Sequence, residues 1–467
     1  MIIEQIYTGC IAEAAYFLSS EGEAAIVDPL RDIQPYLDRI DKEGVQLKYI
    51  FETHFHADFV SGHIDLAKKT GATIVYGPTT MSTGFEKKVG QDGEVFTLGG
   101  STITLIHTPG HTMESSCYLL KDEQGKERGI ITGDTLFIGD VGRPDLFSGN
   151  LSKEELAAYL YDSLHTKIAN LEDHVLVYPA HGPGSACGKN LGPNTHSTIA
   201  EQKQTNYALA PQTKEEFIQV VTSGLNAPPA YFPINAAINK KGYESLDTVK
   251  TRGLQALSIA DFKAAVAKGA LIVDTRKATE FTEGFIPESI SIGLDGRFAE
   301  WAGTLLPFNQ DLVLVTEEGK EEETLIRLAR VGLDAIQGYL KGGFEAWKTA
   351  DEKIDIIIDV DTEELALDIP HDPKLEIIDV RKQAEFDAGH IVAANLMPLD
   401  TLIDPLHLSV IDTEANLYVH CAGGYRSVIA CSLLKRQGFH NVRNVLGGWS
   451  AIKEVNEIPK EMSSVMN

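Results

Sequence analysis

Three α/β units are what the sequence predicts, on three observations: short apolar runs alternate with helical stretches, His and Asp residues stand at the ends of those runs, and the second half repeats itself. In the first unit, residues 1–245, the apolar runs 24–27, 49–51, 73–76, 103–106, 129–131 and 175–178 read as strands, and 61–69 and 152–164 as helices. Polar groups at strand mouths are where layered α/β proteins keep their sites. Residues 227–233, rich in Pro and aromatic side chains, read as a closing strap, and the polar segment after them, through Arg252, as a linker.

Beyond the linker, residues 256–350 and 358–463 are two copies of one unit. Asp274 and Arg276 recur as Asp379 and Arg381, Glu280 as Glu385, Gly284 as Gly389, and Gly342-Gly343 as Gly447-Gly448, at a constant offset of 105 residues (274 to 379, 284 to 389, 342 to 447). Buried Asp–Arg pairs and turn glycines are architectural needs, so these positions are expected to hold a shared fold.

The charge balance narrows the class. With 41 basic and 67 acidic residues the net charge is −26, which repels nucleic-acid phosphates and anionic lipid alike, so neither is an expected partner. No run approaches the length of a membrane span, and the first residues lack a basic segment followed by an apolar one; the expectation is a cytoplasmic protein, for which a homo-oligomer is allowed. Five cysteines without regular spacing make no disulfide framework. Cys10, Cys117 and Cys431 sit in apolar or helical settings and read as packing.

Four strand-end motifs carry the chemistry of the first unit: Thr53-His54-Phe-His56-Ala-Asp58, Thr108-Pro-Gly-His111, Thr132-Gly-Asp134 and Tyr178-Pro-Ala-His181. Together they resemble the metallo-β-lactamase superfamily, which implies an αββα sandwich with a metal at the strand mouths. Two-metal members carry His-x-His-x-Asp-His, whereas Phe59 stands here at the last position, so a two-metal hydrolase site is not expected. The remaining set, His54, His111 and Asp134, is a two-His, one-carboxylate face of the kind that holds mononuclear Fe(II). The same three are the iron ligands implied by resemblance to the persulfide dioxygenase subgroup, with one Fe(II) per chain, and the segment Gly139-Asp-Val-Gly-Arg143-Pro-Asp145 is similar to that subgroup's segment beside the substrate pocket. His56, Asp58 and His181 then orient ligands or hold water. Arg143 either forks onto a carboxylate of a thiol substrate such as glutathione or pairs with Asp145 or Asp140. Cys187 is either a residue of a close turn or an auxiliary thiol of lowered pKa near the pocket.

In the last unit, an apolar strand delivers Cys421-Ala-Gly423-Gly424-Tyr-Arg426-Ser427 into a helix expected to begin at Ser427. A cysteine there faces backbone N–H groups that favour its thiolate and cradle a transferred sulfur, and the two glycines let those groups converge. This resembles the active loop of the rhodanese sulfurtransferases, which implies Cys421 as nucleophile, Arg426 as a catalytic cation, and Gly423, Gly424 and Ser427 as binding positions. The middle copy offers Thr316-Glu-Glu-Gly-Lys at the same place and is expected to be inactive, a spacer or interface.

These resemblances imply a persulfide dioxygenase fused to an inactive and an active rhodanese-like domain, taking a low-molecular-weight thiol persulfide (of glutathione, coenzyme A or similar), O2, sulfite and thiosulfate. Two other readings stay open: a zinc-dependent thioester hydrolase of the glyoxalase II type fused to a sulfurtransferase, and a non-catalytic persulfide carrier or sensor with a structural metal.

Overall fold

The computed structural model describes residues 1–146, 150–189, 191–225 and 227–462; residue 463, the expected end of the third unit, lies outside them. The chain divides into two compact units. One comprises Met1–Leu246 with the short segment Leu328–Leu333, and the other comprises Asp247–Arg327 and the chain from Asp334 onward.

The first unit is built on two six-stranded sheets. One runs in chain order through Ile2–Thr8, Glu13–Ser20, Glu23–Val27, Gln46–Phe51, Thr73–Tyr76 and Lys88–Val89; the other, from edge to edge, is Ser197–Thr198, Leu176–Pro179, Glu127–Gly133, Ser116–Lys121, Ser101–His107 and Val95–Leu98. Side chains alternate across each strand. Tyr16 and Leu18 point into the core between the sheets, where they join Val27, Phe51, Tyr118 and Ile131. Ala15 and Phe17 face the other way, onto Tyr36 and Leu66 of the helices Gln34–Glu43 and His63–Thr70. On the outer face of the second sheet, Leu119, Ile130 and Val177 pack with Ala157 and Leu160 of the helix Lys153–Ser163 and Phe217 of Lys214–Thr222. The layers are therefore α, β, β, α.

Residues 227–252, read from the sequence as strap and linker, instead contain two helices, Phe232–Lys241 and Leu246–Gly253. Pro233 does not oppose the first of them, because it lies in the opening turn where no N–H is needed, and Lys240 and Lys241 complement its C-terminal end.

The second unit holds two parallel five-stranded sheets of the same order. They are Ala256–Leu257, Ile336–Leu340, Leu312–Val315, Leu271–Asp274, Ile290–Ser291, and then Ile358–Val360, Val442–Val445, Asn416–His420, Leu375–Asp379, Ala394–Leu396. The repeated residues make one clamp twice. Arg276 forks onto Asp274 at 3.0 and 2.6 Å and donates to the Gly284 carbonyl at 3.0 Å. Arg381 does the same to Asp379 at 2.9 and 2.6 Å and to the Gly389 carbonyl at 2.7 Å. The glycine pairs turn in the left-handed region, and a Cβ on Gly448 would lie 2.4 Å from the Cys421 carbonyl oxygen, as one on Gly343 would lie 2.8 Å from that of Thr316. Among the described residues no helix is long and apolar enough to cross a membrane.

Candidate active sites

His54 follows the strand Gln46–Phe51, His111 follows Ser101–His107, Asp134 follows Glu127–Gly133 and His181 follows Leu176–Pro179, so one end of the two sheets gathers all four motifs. His54, His111 and Asp134 each present a ligand atom within 4.8 Å of the others, and all three are buried. Their hydrogen bonds decide which atoms are free. The Thr53 hydroxyl donates to Asp28 Oδ2 at 2.8 Å, so its oxygen accepts from His54 Nδ1 at 3.0 Å and the His54 Nε2 lone pair is left open. His111 Nδ1 lies 2.9 Å from the Arg143 carbonyl, which can only accept, so Nδ1 carries a proton and Nε2 faces Asp134 Oδ2 at 3.3 Å. Neither Asp134 oxygen receives a hydrogen bond. Burial, together with His56, His111 and His181 around it, pushes His54 well below the usual histidine range, so its ring is neutral. Two imidazole nitrogens and a carboxylate without a hydrogen-bond partner, buried and facing one another, form a site that a cation would satisfy. The donor set thus fits a divalent metal.

His181 and Asp58 complete the surroundings. His181 Nε2 lies 3.3 Å from Asp58 Oδ2 and 3.4 Å from Asp134 Oδ1, with its Nδ1 on the Ala12 carbonyl. Asp58, His181 and Cys187 form a second group with ligand atoms within 4.8 Å of one another. The lowered pKa considered for Cys187 is not found. Burial, with Asp58 and Asp134 beside it, raises the thiol well above its ordinary value. The His56 ring lies 4.2 Å from that of His54 and points its Nε2 to Asp28 Oδ1 at 3.0 Å and Glu52 Oε2 at 3.4 Å, and burial of its ring is outweighed by these two carboxylates, which raise its pKa. A hydrogen-bonded route through Asp28 and Thr53 also joins it to His54. Phe59 is fully buried with its ring 4.3 Å from that of His56.

Arg143 is not open to a substrate carboxylate. Its Nε and Nη2 fork onto Asp145 at 2.6 and 2.7 Å, the pairing the sequence held as the alternative, and its contribution to the site is the carbonyl that sets His111. Sequence reasoning missed Asp28, Glu52 and the role of Thr53; the available signal was Asp28 at the end of the run 24–27, another acidic strand mouth.

The second candidate site is the loop after Asn416–His420. Cys421 is 1% exposed, and the Gly424 N–H donates to its Sγ at 3.1 Å. Gly424 adopts φ 110, and the helix runs Tyr425–Arg436, two residues ahead of the expected start, because that left-handed glycine reverses the chain at once. Gly423 is exposed, with open space where a Cβ would be. The Ser427 hydroxyl lies 3.7 Å from Sγ and donates to Asn444 Oδ1 at 2.6 Å. Arg426 spends both Nη atoms on Glu385, each at 2.7 Å, rather than on the space beside Cys421, although its charge still interacts with the thiol. In the middle copy, Thr316, Glu280, Glu283, Glu317 and Glu318 line a cavity of about 400 Å³, an acidic counterpart of the Cys421 loop.

Comparison with known proteins agrees with this geometry. The metallo-beta-lactamase superfamily matches residues 8–181, and the rhodanese-like domain matches residues 258–350 and 361–455. The crystal structure of a metallo-beta-lactamase from Staphylococcus aureus is 31% identical, with 73% of this chain and 98% of that one covered at a TM-score of 0.65. ETHE1 from Myxococcus xanthus is 30% identical over 51% of this chain and all (100%) of that one, with a TM-score of 0.43. Rhodanese-like domains tie the chain to sulfur metabolism, and the metallo-β-lactamase fold is a metal-binding one. With the two buried sheets, their shared strand mouths and a match spanning nearly the whole of the staphylococcal protein, the chain belongs to the metallo-β-lactamase superfamily and carries two rhodanese-like domains behind that fold.

Proposed function

We propose that the chain oxidises low-molecular-weight thiol persulfides to sulfite with O2 at a single Fe(II) held by His54, His111 and Asp134, and moves sulfane sulfur between persulfide, sulfite and thiosulfate on Cys421. The observation that supports the first activity is the buried three-atom donor set, in which neither Asp134 oxygen has a hydrogen-bond partner. Bound Fe(II) supplies redox chemistry with dioxygen and a Lewis-acid position for sulfur. The protein's part is to hold His54 and His111 in the tautomers set by Thr53 and the Arg143 carbonyl, and to keep water scarce around Asp134. The net reaction is RSSH + O2 + H2O → RSH + SO3²⁻ + 2H⁺.

At the second site the Cys421 thiolate attacks the outer sulfur of RSSH, the S–S bond breaks, and RS⁻ leaves. Sulfite then takes the outer sulfur: CysSS⁻ + SO3²⁻ → CysS⁻ + S2O3²⁻. The Gly424 N–H lies where it can donate to sulfur anions. The test is oxygen uptake and sulfite formation on the iron-loaded full chain with persulfides of glutathione and coenzyme A, alongside thiosulfate-to-thiol transfer. Asp134→Ala is expected to abolish the first and spare the second, and Cys421→Ser the reverse. Oxygen uptake unaffected by Asp134→Ala overturns the assignment.

The group Asp58, His181 and Cys187 favours one alternative, a zinc hydrolase of thioesters with a second metal. Two tightly held zinc ions per active chain, with thioester cleavage and no oxygen uptake, would establish it instead.

A further inference from the structure

The thiol-free middle repeat reaches the Cys421 loop at two points. Tyr425, four residues from the thiol, sends its hydroxyl into the middle repeat, where it donates to the Gly293 carbonyl at 2.7 Å. Its ring lies so close to Gly296 that a Cβ there would come within 2.4 Å of it, so the recess exists only because residue 296 has no side chain. The second link is a chain of hydrogen bonds. Thr282 of the middle repeat donates to Asp359 Oδ2 at 2.7 Å, and Asn444 Nδ2 donates to Asp359 Oδ1 at 2.7 Å. Held that way round, Asn444 offers its oxygen to the Ser427 hydroxyl at 2.6 Å, and the Ser427 oxygen is the one that stands 3.7 Å from Cys421 Sγ.

From these contacts we infer that the middle repeat is the positioning element of the sulfur-transfer site: Tyr425 in its Gly293–Gly296 recess, and Thr282 acting through Asp359 and Asn444, set the loop that carries Cys421. The inference rests on sulfur transfer at Cys421. It explains why a copy without a nucleophile is useful. A loop that carries two adjacent glycines has many conformations open to it, and only some aim the Gly424 N–H at sulfur. Tyr425 is pinned by an oxygen outside its own repeat, and the direction of the Ser427 hydroxyl is inherited from Asp359, which Thr282 orients. Tyr425 and Thr282 are positioning residues, since neither needs to touch the transferred sulfur.

The full chain tests this with Tyr425→Phe, Thr282→Val and the conservative Thr282→Ser. Two quantities are measured: hydrogen exchange of the 421–427 peptide by mass spectrometry, and the separate kcat and KM of thiosulfate-to-thiol transfer. Tyr425→Phe and Thr282→Val are each expected to speed exchange of that peptide and to lower kcat about fivefold, with KM for thiosulfate unchanged. Thr282→Ser restores both. Wild-type exchange and kcat in both disrupting variants, or a loss that Thr282→Ser leaves unrepaired, overturns the inference. A wild-type chain that transfers no sulfur would overturn the activity assigned to Cys421 instead, and the exchange measurement would still decide the positioning.

Discussion

Thr53 donates to Asp28 and accepts from His54, and that one hydroxyl fixes which imidazole nitrogen faces the metal-type group. Valine has the same shape but no oxygen, so Thr53→Val leaves the His54 Nδ1–H without its acceptor and the ring free to change tautomer. Its expected effect is a loss of about 10–100-fold in affinity for a divalent metal, read by competition with a chromophoric chelator, with little change in the fold. At the other site, burial pulls the Glu385 carboxyl up, but the Arg426 fork and the Lys382 N–H outweigh it and hold it below the ordinary carboxylate value. A depressed folded pKa contributes stability that is complete above the unfolded value of about 4.3 and is lost as pH falls through the lower folded value. Glu385→Gln is therefore expected to be less stable than wild type near neutrality and to converge with it in acid, as measured by urea unfolding at several pH values. A stability gap that widens in acid would contradict the pairing.

At the scale of elements, the glycine pair that opens each closing helix shows what the repeat is for. Gly448 and Gly343 both take left-handed φ, 52 and 56, and both approach the carbonyl of the residue that follows the central strand. Alanine at either position is strained, at a cost of about 1–3 kcal/mol visible in chemical unfolding. The two variants part company in function. Gly448→Ala pushes on the Cys421 carbonyl, which accepts the Trp449 N–H at 2.7 Å, and is expected to depress sulfur transfer as well as stability. Gly343→Ala presses on Thr316 and should cost stability while the transfer rate changes much less. The shared Asp–Arg pairs and glycine pairs were legible in the sequence because an offset of 105 residues repeats each of them. The helix over Phe232–Lys241 was not, because a run entered through several prolines hides a helical pattern whose only proline lies in the tolerated first turn.

On the scale of the whole molecule, the middle repeat has the rhodanese-like fold but carries Glu317 and Glu318 where the last repeat has Ala422 and Gly423. Glu317 and Glu318 follow Thr316 directly, Glu280 and Glu283 line the same cavity, and Arg276 there is already bound to Asp274. Thr316→Cys in a Cys421→Ser background is thus expected to remain without thiosulfate-to-thiol transfer, since the carboxylates disfavour both the thiolate and the incoming anion. Turnover near that of the wild-type chain would show that the repeat lacked only its nucleophile.

By itself the sequence determined the twofold repeat, the strand-end positions of His54, His111 and Asp134 and the place of Cys421 after an apolar strand, because periodicity and spacing are local properties that survive in one dimension, and its motifs carried the resemblance that implied the αββα and rhodanese-like folds. Partner choice is not local. Whether Arg143 takes a substrate or Asp145, whether Arg426 faces sulfur or Glu385, and whether Cys187 is a thiolate or a buried thiol depend on which groups other parts of the chain bring within about 3 Å and on how much water they exclude. Tertiary structure alone decided those, as it decided that Tyr425 finds its acceptor in a repeat that ends far upstream of it in the sequence.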